Sequence, residues 1–174
     1  FQFFIIMSRY TLYIKLDKNL DTEIADYYNN YQPKHNDDSG FDLPAMEHYC
    51  VPVTIPEEGF VKSTGIKFGI SCCMKNNETG KYVGYYLYPR SSFHKYNLVV
   101  ANHLGIIDAG YRGSITGMVK PLHLMDDDRY TVCIHKGTKL FQLCAPDLSP
   151  FNIEITDNLP ESSRGSNGFG STGK

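Results

Sequence analysis

From residue 41 onward, short runs of β-forming residues alternate with turn-forming clusters, and this pattern constrains the fold more than any other feature. The runs are rich in Val, Ile, Tyr and Phe, and clusters such as NNETGK, DAGY and HKGTK separate them. Many short strands with closely spaced turn signals are typical of an all-β sandwich or barrel. A chain of 174 residues has room for one such domain. We therefore predict a single all-β domain.

The first 37 residues depart from this pattern. YTLYIKL, at residues 10–16, alternates apolar and polar side chains and predicts a strand. Apolar residues then recur at helical spacing before Pro33, which predicts a short amphipathic helix built on Leu20, Ile24, Tyr27 and Tyr31. The apolar run at residues 1–6 leaves two interpretations open, an added edge strand or residues upstream of a start at Met7. We predict an N-terminal extension over residues 1–37 and the β domain over residues 38–160.

Composition narrows the classes of function. The net charge is −2, whereas a general nucleic-acid binder is normally basic, so no direct nucleic-acid binding is expected. No stretch approaches the ~18 apolar residues that a membrane span needs. Five cysteines without a CxxC pair predict a reduced chain that lacks a disulfide framework. With no secretion signal recognised, we expect a cytoplasmic or nuclear protein.

The C-terminal segment 161–174 carries an unusual combination of side chains. Its Gly- and Ser-rich composition predicts a flexible tail that cannot bury itself, and a disordered end is the alternative interpretation. In RGSNGFGSTGK, however, Arg164 offers a guanidinium fork for phosphate oxygens, and Ser171 and Thr172 add hydroxyl donors. Phe169 offers a flat face for a base, and the flanking Gly168 and Gly170 free the backbone to approach a ligand. The spacing favours a nucleotide triphosphate site.

Four other segments carry candidate ligand-binding groups. NHLGIIDAGYRG places the carboxylate of Asp108 and the ring of Tyr111 beside a pocket, although DAG is equally a hairpin turn in isolation. In YPRSS, Arg90 and the hydroxyls after it offer a phosphate cradle, or only a strand-end turn. DSGFDL, at residues 38–43, predicts a cluster of turns in which Asp side chains hydrogen-bond to the nearby backbone. Gln142 lies within the apolar KLFQLCAP, where a buried polar side chain needs partners unless the strand is at an edge.

In chain order these segments resemble the five motifs of the trimeric dUTPase family. DSGFDL resembles the first, PRSS the second, GIIDAGYRG the third, KLFQL the fourth and RGSNGFGSTG the fifth. The family usually has Gly at the positions of Ser92 and Asn167; neither change removes a reacting group, and Asn tolerates the left-handed backbone well. The Tyr-rich segment before Asp38 resembles the extended amino termini of some large DNA-virus members.

The resemblance implies a jelly-roll-like β-barrel assembled as a homotrimer, with each active site shared between chains. It implies hydrolysis of dUTP to dUMP and pyrophosphate by water attacking the α-phosphorus, with Asp108 as general base and Mg²⁺ as cofactor. Asp42 matches the carboxylate that contacts Mg²⁺ through water. The positions that the resemblance assigns to substrate binding are Arg90, Ser91, Ser92, Asn102, Gly105, Ile107, Tyr111, Gln142, Arg164, Gly168, Phe169, Gly170, Ser171 and Thr172.

Two alternatives stay open from the residues. A dCTP deaminase of the same fold would lack the Phe-bearing tail motif, which this chain has. A non-catalytic nucleotide sensor or interaction module would use the Tyr-rich segment, with Tyr27, Tyr28 and Tyr31, as its contact surface. Loss of Asp108 would favour such a module, and Asp108 is present.

Overall fold

A computed structural model describes residues 8–53, 61–122 and 131–168 of the chain. Within these ranges the chain is mostly β, with one α-helix and one 3₁₀ helix. The strands are β1 (Tyr10–Leu16), β2 (Gly40–Pro44), β3 (Tyr49–Pro52), β4 (Thr64–Asn76), β5 (Tyr82–Val83), β6 (Tyr85–Pro89), β7 (Leu98–Val100), β8 (Gly105–Ile107), β9 (Ser114–Pro121), β10 (Thr131–Ile134), β11 (Lys139–Cys144) and β12 (Asn152–Ile155). Helix α1 spans Thr22–Asn29, and the 3₁₀ helix spans Ser91–Lys95.

The strands form three sheets. The largest has six strands in the order β12-β1-β4-β9-β7, with β5 added against β4; β1 and β12 are parallel, and the other pairs are antiparallel. The second sheet runs β2-β11-β6-β8, and the third is the two-stranded ribbon β10-β3. Strand β8 therefore ends the second sheet and has an unpaired edge in the described part of the chain.

One hydrophobic core joins the three sheets. Strand β9 alternates buried and half-buried residues along its whole length, the period expected of a strand with one face on a core. Phe68 of the large sheet meets Phe141 of the second sheet with ring centroids 5.8 Å apart, and Val51 of the ribbon is fully buried in the same cluster. Side-chain packing, rather than one continuous hydrogen-bonded ladder, holds the layers together.

The all-β prediction is confirmed, but the barrel prediction is not. Within the described residues the three sheets do not close into a continuous barrel, because no strand of one sheet pairs with a strand of another. The sequence also predicted turn structure at DSGFDL, whereas residues 40–44 form β2. Pairing with β11 overrides the local turn preference, since Phe41 and Leu43 are fully or almost fully buried there. The two interpretations left open for residues 1–6 concern residues outside the described ranges.

Helix α1 confirms the predicted helix. Asp21 caps it by accepting a hydrogen bond from the Glu23 amide at 3.0 Å. Ile24 and Tyr28 are its buried residues, and the Tyr28 hydroxyl donates to the Phe68 carbonyl at 2.9 Å. The described helices are all shorter and more polar than a bilayer-crossing helix would have to be.

Candidate active site

Asp108 lies where β8 ends. Gly105 begins the strand in close contact with Leu87 of β6; a Cβ at Gly105 would lie 2.8 Å from that of Leu87. After β8 the chain turns, and the Tyr111 amide donates to the Asp108 carbonyl at 2.9 Å. This turn leaves the Asp108 side chain about half exposed, at 50%. The strand end therefore presents a carboxylate to solvent rather than burying it.

A cavity of about 190 Å³ opens beside this strand end, and we call it the Asp108 cavity. It brings together seven of the residues singled out from the sequence, namely Asn102, Gly105, Ile107, Asp108, Tyr111, Arg164 and Gly168. Two of these come from the C-terminal segment, four belong to the third motif, and Asn102 lies three residues before that motif. The structure thus places the third and fifth motifs side by side in one chain.

Tyr111 forms a wall of the Asp108 cavity. Its hydroxyl donates to the Ser114 carbonyl at 3.1 Å. Burial raises the pKa of the Tyr111 phenol, so the ring stays neutral and keeps this hydrogen bond. Gly113 and Gly168 both lie against the ring: a Cβ at Gly168 would be 2.9 Å from Tyr111 Cε2, and one at Gly113 would overlap the hydroxyl. Both glycines let the backbone close on the ring.

The segment over residues 160–168 packs on the third-motif turn of its own chain. Gly165, with a φ of +57°, forms a parallel bridge with Tyr111, and the Arg112 amide donates to the Gly165 carbonyl at 2.8 Å. Ser162 Oγ donates to the Gly110 carbonyl. Backbone groups and the Ser162 hydroxyl both make these contacts, since the Gly165 amide also donates to Ser162 Oγ at 3.1 Å.

Arg112 belongs to this site, although the sequence pattern gave no indication of it. Its guanidinium donates to the carbonyls of Ala109 at 2.8 Å, Tyr111 at 2.9 Å and Pro160 at 2.9 Å. It therefore connects the Asp108 turn to the C-terminal segment. The only signal was its place directly after Tyr111 in GIIDAGYRG, where no role had been assigned to it.

An ion pair closes one side of the Asp108 cavity. Arg164 Nη1 lies 2.6 Å from Asp108 Oδ2, and Arg164 Nε donates to the Asn167 carbonyl at 3.1 Å. Both charged side chains are partly exposed, so solvent screens the pair and its contribution to stability is small. The pair positions Arg164 without burying it, and an anion can compete for the guanidinium.

The remaining candidates gather at a second cavity of about 680 Å³, which we call the Arg90 cavity. Asp42, Arg90, Ser91 and Gln142 line it. Arg90 Nε lies 2.6 Å from Asp42 Oδ1, and Gln142 Nε2 donates to the Pro89 carbonyl at 3.4 Å. The ladder of β2, β11 and β6 sets this arrangement, because Gln142 stands opposite Asp42 on one side and Tyr88 on the other. Ser92 lines neither cavity and sits in the 3₁₀ helix.

Helix α1 forms a wall of the Arg90 cavity, which the sequence did not indicate. The Tyr27 hydroxyl donates to the Asp42 carbonyl at 2.9 Å, and the Lys139 ammonium lies 4.0 Å from the centre of the Tyr27 ring. Tyr31 packs edge-on against Phe41 at 4.7 Å, and Tyr28 is 1% exposed. Of the three tyrosines that the interaction-module alternative treats as a contact surface, Tyr28 is buried, whereas Tyr27 and Tyr31 are half-buried and line the Arg90 cavity.

Four candidates of the fifth motif, Phe169, Gly170, Ser171 and Thr172, lie outside the described residues. Among the residues that the structure does describe, no three His, Cys, Asp or Glu side chains converge as a metal-binding group would.

Comparison with known proteins identifies the family. The dUTPase family model matches residues 26–173. The deoxyuridine 5'-triphosphate nucleotidohydrolase of Clostridium tetani is 35% identical over 169 residues, covering 97% of this chain and all of the relative. The enzyme of that name from Gloeothece citriformis is 34% identical over 140 residues, covering 80% of this chain and 85% of the relative.

Solved structures agree in fold. The dUTPase of Staphylococcus bacteriophage 80alpha, determined with dUpNHpp, has a TM-score of 0.53 and 23% identity, covering 94% of this chain and 98% of that one. A dUTPase from phage phi11 of S. aureus, described with a structural Mg(II) ion, has a TM-score of 0.54 and 22% identity, covering 87% and 96%. The family match over most of the length, together with the two relatives, shows that this chain belongs to the dUTPase family.

Proposed function

We propose that this chain is a dUTP diphosphatase, which hydrolyses dUTP to dUMP and pyrophosphate by attack of water on the α-phosphorus. The observation that carries the proposal is the Asp108 cavity, where a carboxylate, an aromatic wall and an arginine meet beside a free strand edge. Such a reaction lowers dUTP and supplies dUMP for dTMP synthesis. The proposed domain limits remain residues 38–160 for the β domain, with 161–174 closing over the nucleotide.

The uracil ring of the substrate forms hydrogen bonds with backbone groups on the free edge of β8. An edge strand presents the N–H and C=O groups of alternate residues on its free side, and in β8 these come from within Gly105–Ile107. Asn102 adds a side-chain amide at the same cavity. Cytosine carries the opposite donor and acceptor at two positions and would leave buried groups unpaired, which is a strong basis for rejection.

Tyr111 selects the sugar. The hydrogen bond to Ser114 and the close contacts of Gly113 and Gly168 hold its ring in one position. A ring fixed in this way packs against deoxyribose and leaves no space for a 2′-hydroxyl. Phe169 then stacks on the base, and Gly170, Ser171 and Thr172 reach the outer phosphates with Arg164.

Asp108 acts on the attacking water. Its carboxylate is exposed enough to accept a proton and close enough to Arg164 to be held in place. When phosphate oxygens compete for the Arg164 guanidinium, the carboxylate is released towards water. A positioned general base contributes on the order of 10²–10⁴ in rate.

The Arg90 cavity binds the phosphate chain. Arg90 supplies a bidentate fork, and Ser91 and Gln142 add neutral donors. Ser92 supports this loop from the 3₁₀ helix. The Asp42 carboxylate keeps the empty guanidinium oriented, at 2.6 Å, until phosphate takes its place.

The residues of the Arg90 cavity fit Mg²⁺ that is bound to the phosphates of the substrate. The described residues hold no group of three ligands for a metal cage, whereas Mg²⁺ keeps several waters and binds through one or two carboxylates plus substrate phosphates. Asp42, partly exposed in the Arg90 cavity, is the carboxylate that would contact it through water. When bound, Mg²⁺ neutralises phosphate charge and orients the chain for in-line attack.

The active form is a homotrimer of jelly-roll-like subunits that share their sites. The Asp108 cavity and the Arg90 cavity have separate linings in one chain, so a substrate that needs both draws them from neighbouring copies. Refolding Asp108→Asn and Arg90→Gln chains together tests this. In mixed trimers about a quarter of the sites receive both intact groups and recover activity. If the mixture stays as inactive as its components, the sites are not shared.

The reaction itself is tested by incubating the protein and Mg²⁺ with each deoxynucleoside triphosphate and with UTP. Pyrophosphate should appear with dUTP and not with dCTP, dTTP or UTP. Ammonia from dCTP would identify a deaminase instead. Binding of dUTP without any product would identify a nucleotide sensor.

A further inference from the structure

Two cysteines face each other on the ribbon of β3 and β10, and neither of them lines the Asp108 cavity or the Arg90 cavity. Cys50 pairs directly with Cys133 in the antiparallel register, two positions from the pair of Pro52 and Thr131. Proline has no N–H, so its pair cannot be of the hydrogen-bonded type. Because the two types alternate along an antiparallel ladder, the cysteine pair is also non-hydrogen-bonded.

Non-hydrogen-bonded pairs bring side chains closest together. Their Cα atoms are about 4.5 Å apart, which lies within the range of about 4.4–6.8 Å found in disulfides. The pKa of the Cys50 thiol is raised because it hydrogen-bonds to Cys133, and a second thiolate there would be repelled. The register makes the two side chains cross-strand neighbours, and their sulfur atoms are not bonded, since all five cysteines are free in this structure.

Exposure separates this pair from the other three cysteines. Cys50 and Cys133 are exposed, on the face opposite to the buried Val51 and Ile134. The other three are buried, and burial raises the pKa of each of their thiols; they are Cys72, Cys73 and Cys144. Buried thiols with raised pKa values react slowly with oxidants, whereas exposed ones are accessible.

We propose that Cys50 and Cys133 form a reversible oxidation site, which a low-molecular-weight disulfide converts to an intramolecular cross-strand disulfide. One protein thiolate attacks the small disulfide, forming a mixed disulfide and releasing one small thiolate. The second protein thiolate then attacks the protein sulfur of the mixed disulfide and releases the second small thiolate. Two protein thiols are oxidised and one small disulfide is reduced to two thiols. This inference does not depend on the proposed nucleotide chemistry.

The bond would act on the frame of the Arg90 cavity. Strand β3 follows β2 and β10 precedes β11, and the connections are themselves hydrogen-bonded: the Ala45 amide donates to Thr138 at 2.9 Å, and the Gly137 amide donates to Ala45 at 2.8 Å. A disulfide between β3 and β10 would therefore link the segment that follows β2, which carries Asp42, to the segment that precedes β11, which carries Gln142.

The test uses the reduced full chain, incubated with oxidised glutathione, quenched in acid and digested without reductant. We expect one pair of linked peptides, one containing Cys50 and the other Cys133. Its mass should be about 2 Da below the summed mass of the two thiol peptides, and dithiothreitol should separate the pair again. In the Cys50→Ser and Cys133→Ser variants, the reaction should stop once the exposed cysteine that remains carries a single glutathione. Unchanged melting temperatures of the reduced variants show that both still fold.

Three results would overturn the proposal. Wild-type protein that carries two glutathione adducts and no link would show that the sulfur atoms cannot meet. A link through Cys72, Cys73 or Cys144 would show that the ribbon is not the reactive site. Wild-type thiols that stay free while each single variant takes up glutathione would show that the pair protects itself from oxidation.

Discussion

The Asp108 cavity and the Arg90 cavity contain the same ion pair in different settings. Each holds an Asp–Arg contact of 2.6 Å, but the Asp42 side chain is 26% exposed and that of Asp108 is 50% exposed. Asp42 lies on β2, an edge strand that pairs with β11, whereas Asp108 lies on a turn and meets an arginine from the C-terminal segment. Strand pairing fixes the backbone of the first carboxylate, and a turn fixes that of the second, which is the more exposed of the two.

We propose that this difference separates binding from chemistry. A carboxylate in a rigid ladder keeps an arginine oriented for an anion, which suits a site whose geometry stays constant. A carboxylate on a turn can change partner during a reaction cycle, which suits a proton acceptor. The following changes test that division of roles, beginning with the largest expected effect.

Asp108→Asn should reduce dUTP turnover by roughly 10²-fold or more, because an amide cannot accept the proton of the attacking water. The fold should persist, since the side chain is half exposed. Pyrophosphate release and a thermal melt measure the two effects. Asp157→Asn, an exposed carboxylate beyond β12, is the matched control and should behave as wild type. A collapsed melt for Asp108→Asn would make Asp108 a turn residue.

Arg90→Gln should lower kcat/KM for dUTP by roughly 10- to 100-fold, because a hydrogen bond to a charged group contributes about 1.5–3 kcal/mol. The loss should appear mainly in KM if the Arg90 cavity binds and does not react. Arg9→Gln is the control: Arg9 also pairs with an aspartate, Asp147, at 2.9 Å, but lines neither cavity. A kcat effect with unchanged KM would contradict the division of roles.

Tyr111→Ala should reduce the preference for dUTP over UTP by about 10-fold or more while leaving the preference over dCTP, because the ring meets the sugar and the β8 edge meets the base. Ratios of kcat/KM measure this independently of the folded fraction. Tyr111→Phe keeps the wall and loses only the bond to Ser114, so its ratios should stay close to those of the parent. Equal loss of both preferences would mean that Tyr111 only supports the cavity.

Local pattern predicted much of this molecule. The alternation in residues 10–16 matched β1, and the helical spacing before Pro33 matched α1. The grouping of candidates in and just before the third motif could also be predicted, because Asn102, Asp108 and Tyr111 lie close in sequence and reach one cavity through a single strand and turn. Where the groups of a site are neighbours along the chain, their types and spacing carry most of the geometry.

Long-range pairing decided the rest. No pattern around DSGFDL shows that β11 will draw it into a strand, or that α1 will place Tyr27 over Lys139 and against Asp42. Arg112 and the docking of Gly165 on Tyr111 likewise depend on segments that only the folded chain brings together.

The sequence by itself determined the all-β class and the order of the motifs, because both depend on residue types within a few positions. Only the tertiary structure decided that the candidates divide between two cavities, that β8 has a free edge and that Cys50 faces Cys133. The physical reason is register: which residues meet across a sheet depends on burying one shared core, and that free energy is summed over the whole chain.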